Sequence, residues 1–132
     1  MKRQCPHKPW PSSPIRESSL PSSVQLHMST LRRYEILIPL VFNDGSAVPE
    51  ELLAQTFAEL RDRFGAASWE TQVLRGSWEH QGTTYEENFT RFFIDVADDP
   101  KHRIFFTELK EKLKARFNQL GVWITSHPMD VI

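Results

Sequence analysis

Residues 69–96, WETQVLRGSWEHQGTTYEENFTRFFIDV, carry a strand pattern on both sides of one turn signal, His80-Gln81-Gly82-Thr83. Aromatic and β-branched residues flank a glycine at the second central position, which is hairpin chemistry. A long hairpin constrains the rest of the chain, because a two-stranded ribbon is marginal alone in water. Its neighbours must therefore supply a third strand and a cover for one face.

They read as such. Upstream, YEILIPLVF (Tyr34 to Phe42) is an apolar run of strand length, the pattern of a strand buried on both faces. Pro39 cannot donate to a ladder and marks a bulge or an unpaired end. Asn43-Asp44-Gly45 then signals a turn. Leu53, Phe57, Leu60 and Phe64 recur at i, i+4, i+7 and i+11, one face of a helix over about 49–63. Pro49 suits its first position, Glu50 and Glu51 favour the positive end of its dipole, and Gly65 suits its C-terminal cap.

Downstream of the hairpin, Asp99-Pro100 opens a second helix. Phe106, Leu109, Leu113 and Phe117 form its stripe, Lys101, Lys110, Lys112 and Lys114 its solvent side, and Gly121 its end. A last strand runs from Val122 to Ser126 and is stopped by Pro128. The resulting order, β-α-β-β-α-β, predicts an α+β sandwich of the ferredoxin-like kind. A four-stranded antiparallel sheet carries both helices on one face. Right-handed crossovers place the first and third strands in the centre.

The chain has 132 residues, enough for one domain. Five of its nine prolines fall at Pro6, Pro9, Pro11, Pro14 and Pro21 among serines. Residues 1–27 cannot repay their ordering entropy and read as a disordered leader, with 28–132 as the domain. The leader lacks the h-region of a secretory signal and the amphipathic period of an organellar transit peptide. Met28 opens directly into strand pattern, so the leader reads as an extension upstream of the true start. Its proline spacing is too irregular for a PxxP ligand. A single cysteine, Cys5, excludes an intrachain disulfide and fits a reducing, cytoplasmic setting. No apolar run approaches the ~18 residues of a membrane span.

Charge is uneven. Lys2, Arg3, Lys8 and Arg16 against Glu17 give the leader +3, which with −1 overall leaves −4 on the domain. An acidic domain repels phosphate backbones, so nucleic acid is not the expected partner. The RNA recognition motif shares the topology, but the run Glu87-Asn88-Phe89-Thr90-Arg91-Phe92-Phe93-Ile94 lacks its glycine and pattern.

Strand alternation assigns the helix-free face. It receives Glu35, Leu37, Pro39 and Val41, then Phe89, Arg91, Phe93 and Asp95, then Trp123, Thr125 and His127. A solvated face would be mostly polar, and an apolar one marks a partner or ligand surface. Leu37, Phe89, Arg91, Phe93, Trp123 and His127 are thus the candidate interface or ligand residues. The plainer alternative is that the C-terminal tail, Met129 to Ile132, covers this face.

Chemistry-bearing residues are sparse. His80 sits at the hairpin tip near Glu79, Glu86 and Glu87, in no metal-ligand spacing, and reads as a solvated loop histidine. His127 lies within strand reach of Glu35, which would make an acid-base pair. The bland reading is an exposed histidine. His102, in the first turn of a helix, reads as incidental. Arg75-Gly76 suggests a bulge or close backbone approach, with Arg75 pairing a neighbouring carboxylate or binding an anion. No Gly-rich phosphate loop, nucleophile elbow or cysteine knuckle is present, so neither cofactor nor metal is expected.

The words Arg75-Gly76-Ser77-Trp78-Glu79-His80-Gln81-Gly82, Tyr85-Glu86-Glu87 and Trp123-Ile124-Thr125-Ser126-His127-Pro128 resemble a group of small bacterial proteins with no assigned activity. The resemblance covers most of Met28 to Ile132 and implies no catalytic residue. The leading expectation is a non-catalytic module that forms a homodimer through its open face. The alternatives are a small enzyme of the dimeric α+β barrel kind with an apolar substrate between sheets, and a ligand-sensing regulatory module.

Overall fold

The computed structural model describes residues 30–132, so the expected leader lies outside the described residues. Six elements follow one another: β1 (Thr30–Pro39), α1 (Glu50–Phe64), β2 (Ser68–His80), β3 (Thr83–Ala97), α2 (Pro100–Arg116) and β4 (Trp123–Asp130). The sheet has the order β2-β3-β1-β4, and each neighbouring pair is antiparallel. This is the ferredoxin-like α+β topology, with β1 and β3 central.

The core lies between one sheet face and both helices. Tyr34, Ile36 and Ile38 of β1 and Phe92, Ile94 and Val96 of β3 point into it, against Leu53 and Leu60 of α1 and Phe106, Leu109 and Leu113 of α2. Phe57 packs obliquely on Phe92 and Trp69, and Tyr34 stacks on Phe106 at 4.1 Å between centroids. At ~25 cal/mol per Å² of apolar area, each such side chain contributes about 1.5–3 kcal/mol against the chain entropy. The two helical stripes therefore position the sheet.

Local signals act largely as read. Gly65 adopts φ 83° and donates its N–H to the Arg61 carbonyl. Asp99 Oδ1 accepts from the Lys101 N–H at 2.9 Å. Gln81 (φ 52°) and Gly82 (φ 80°) form the hairpin tip, a left-handed pair in which glycine is the unstrained member.

Several boundaries differ. The second helix stops at Arg116 rather than running to Gly121, because Asn118 turns the chain left-handed at φ 52°. β4 continues through Pro128 to Asp130. It is an edge strand, where a missing N–H costs no ladder bond. β1 starts at Thr30 and ends at Pro39, while Val41 forms an isolated bridge with Ala47. The irregularity of β2 falls between Glu70 and Leu74, not at Arg75-Gly76. There Thr90 Oγ1 accepts from Trp69 Nε1 at 2.8 Å and donates to the Glu70 carbonyl at 2.9 Å. Gly76 does mark a close approach: a Cβ there would lie 2.9 Å from Phe89 Cε2.

Candidate functional site on the open sheet face

Register brings the expected residues of the open face together. Glu35 lies opposite Phe93 and Leu37 opposite Arg91 on β3, while Thr125 and Trp123 flank the same two residues on β4. The face then divides in two. One half is ionic. Arg33 Nε and Nη2 donate to the two oxygens of Asp95 at 2.7 and 2.9 Å. The same guanidinium lies 4.1 Å above the Phe93 ring. Hydrogen bonding to Asp95, the larger influence, outweighs burial and raises the Arg33 pKa above its ordinary value. Arg91 Nη1 donates to Glu35 Oε1 at 3.1 Å. Its Nε is 3.1 Å from Glu70 Oε1, within ion-pair range. That contact is out of line for a hydrogen bond, and the Nε has no other acceptor.

These contacts change what the candidate residues can do. Arg91 is held between two carboxylates rather than presented to a ligand. Phe93 lies beneath a cation. Glu35 is held by Arg91, and His127 faces Arg33 across the strands instead of pairing with Glu35. The acid-base pair read from the sequence is therefore absent from the geometry.

The other half is apolar. Leu37, Pro39, Phe89 and Trp123, with Trp78 and Glu87, border a cleft of about 310 Å³. The Trp123 side chain is 67 % exposed although it lies in a strand. Phe89 reaches this cleft by lying over Gly76, whose missing side chain leaves room for the ring. The C-terminal tail does not cover the cleft. Met129 and Asp130 pair along β1 with Leu31 and Thr30, and Val131 and Ile132 are exposed.

Beyond Phe89 the hairpin outruns its neighbour. β1 ends opposite Phe89, and the link from the Leu40 N–H to the Asn88 carbonyl is the last one across. Residues 76–80 and 83–87 pair only with each other. On this arm Trp78 stacks on Tyr85 at 5.5 Å, and both are more than two-fifths exposed. A groove of about 620 Å³ separates the arm from the 42–45 turn and shares Trp78 and Glu87 with the cleft. Glu87 stands between the two, and burial raises its carboxyl pKa above the ordinary range. In the sequence Glu87 stands only among the tip carboxylates; its position between clefts depends on the overhang, which no local pattern encodes.

The remaining singled-out residues stay apart from this site. His80 is exposed at the tip. Arg75 lies 3.9 Å from Glu86 across the hairpin, the commoner of its two readings. His102 packs edge-on to Phe64, and its Nδ1 is buried without a hydrogen-bond partner. No three His, Cys, Asp or Glu side chains among the described residues are placed to hold a metal ion. No helix among them is long and apolar enough to cross a membrane.

No family model matches the chain, and no curated protein sequence matches it. The fold and face define a small α+β domain with a partly apolar, helix-free sheet surface. Among solved structures it is similar to a phage SAM lyase in complex with S-methyl-5'-thioadenosine. The TM-score is 0.55 at 16% identity, over 79% of this chain and 92% of that one. The apo state of a phage SAM lyase gives a TM-score of 0.49 at 16% identity, over 80% and 91%. At such identity the likeness is one of fold.

Proposed function

We propose that this chain is a cytoplasmic module that self-associates through the apolar half of its open sheet face. The carrying observation is the run of Leu37, Phe89, Trp123, Trp78 and Tyr85, exposed or half-buried on a face that carries no helix. Large aromatic side chains clustered in one patch are what interface centres are made of. The ion pairs beside the patch would form its polar rim. The overhanging ribbon, marginal alone, would gain a partner to pack on. Trp123→Glu places a charge at the centre of this patch and should abolish association. Glu111→Lys, on the exposed side of α2, should leave it intact. Association that survives Trp123→Glu unchanged would remove the open face from consideration.

A second reading is favoured by the likeness to the phage SAM lyase fold over 92% of that chain. In this reading the chain is a small enzyme. The Trp78 and Phe89 rings would stack a planar ligand, and Glu87, with its raised proton affinity, would exchange a proton. Titrating the chain with S-methyl-5'-thioadenosine in a calorimeter tests it. Saturable heat that disappears in Trp78→Ala supports the enzyme reading, and the absence of heat at millimolar ligand sets it aside.

A further inference from the structure

On the helical side of the sheet, a groove of about 530 Å³ runs between α2 and the edge strand β4. Arg103, Thr107 and Lys110 border it from α2, at i, i+4 and i+7 on one helix face. Arg32, Tyr34 and Ser126 border it from the sheet. Arg32 is already committed, donating to Asp98 at 2.9 Å and to Ser126 Oγ at 2.9 Å. Neither Arg103 nor Lys110 has an ion-pair partner among the described residues, so two cations face the groove uncompensated.

Tyr34 adds a second observation. Its side chain is 4 % exposed and stacked on Phe106, yet its hydroxyl has no hydrogen-bond partner among the described residues. The hydroxyl keeps some access to solvent, and Tyr34 borders the groove. Burial raises the phenol above its ordinary pKa, against the opposing pull of Arg32 and Arg103, and keeps it a donor.

We infer that this groove binds a small phosphorylated molecule, its phosphate held by Arg103, Lys110 and the Tyr34 hydroxyl. The argument for phosphate is the donor set. Two free cations and a fixed O–H match a compact dianion with several acceptor oxygens. The argument for a small molecule is volume, since the groove falls within the range of small-ligand sites. An acidic domain would also repel a polyanion whose charge extends beyond the groove. Lys110 also borders the open-face cleft, whereas Arg103 and Tyr34 border this groove and not that cleft; the assignment does not depend on the self-association reading.

The probe is phenyl phosphate, titrated into the isotope-labelled full chain and followed by amide chemical shifts. Sodium chloride at matched ionic strength is the control. Saturable shifts at Thr107, Thr125 and Ser126 are expected. Arg103→Gln/Lys110→Gln should weaken binding roughly tenfold or more, because two charge-assisted contacts are lost. Tyr34→Phe should weaken it by a smaller factor with the fold intact. Shifts that chloride reproduces, or binding unchanged in the double variant, would overturn the assignment.

Discussion

Replacing Arg33 by methionine isolates the more buried ion pair of the polar half of the open face. Asp95 is 8 % exposed and takes both of its strong hydrogen bonds from this one guanidinium. Arg33→Met keeps the aliphatic stem over Phe93 but leaves a buried carboxylate unpaired. Breaking a fully buried pair costs about 3–5 kcal/mol. The Arg33 side chain is 30 % exposed, and water reaching the vacated space offsets part of that, leaving about 2 kcal/mol. Urea unfolding reads this directly. With a slope of about 1–3 kcal/mol per M, the midpoint should fall by roughly 1 M with the slope unchanged. The double variant Arg33→Met/Asp95→Leu removes both charges and should return to within about 1 kcal/mol of the parent. A single-variant loss below about 0.5 kcal/mol, or a double variant worse than the single, would refute this account of Asp95.

Three further outcomes follow from named contacts. The Glu87 carboxyl is raised in the folded chain, so its ionised form opposes folding above the ordinary carboxylate range and is silent below it. Glu87→Gln should therefore stabilise the fold slightly at pH 7, by under about 0.5 kcal/mol, seen as a small rise in melting temperature, and not at pH 4. Burial first, then the Lys101 charge, holds the His102 imidazole below its ordinary value, so the unfolded chain takes up the proton first. Its contribution is full above about pH 6.5 and is lost as pH falls toward the lowered folded value, and His102→Leu should flatten melting curves across that window. Gly76→Ala must push the Phe89 ring off its seat and should cost about 1 kcal/mol in denaturant unfolding, with altered Phe89 ring signals by NMR.

Much of this architecture was legible because its signals are local. The stripes Leu53-Leu60 and Phe106-Leu109-Leu113, the cap at Asp99 and the Gln81-Gly82 tip each act within a few residues. Strand alternation then placed Leu37, Phe89 and Trp123 on one face. What local pattern missed depends on register or sheet position. Arg33 and Asp95 are far apart in sequence, and only the β1–β3 pairing makes them partners. That pairing and the β2–β3 register, which sets Glu70 opposite Arg91, turn Arg91 from a candidate ligand contact into a bridge between Glu35 and Glu70. Pro128 reads as a terminator until β4 is known to be an edge. Gly76 predicts a bulge or a close backbone approach; the ring of Phe89 takes the close space over it, and the irregularity lies at residues 71–73. The groove at Arg103 and Lys110 needs the packing of α2 on β4, and in sequence these residues look like an ordinary solvated helix face.

Sedimentation equilibrium of the full chain across micromolar concentrations bears most directly on the proposed role of the open face. A mass rising with concentration from 15.4 kDa toward a small integer multiple, and returning to 15.4 kDa in Trp123→Glu, is the predicted result. A 15.4 kDa species throughout, with tryptophan fluorescence unchanged between the lowest and the highest concentration, would contradict it.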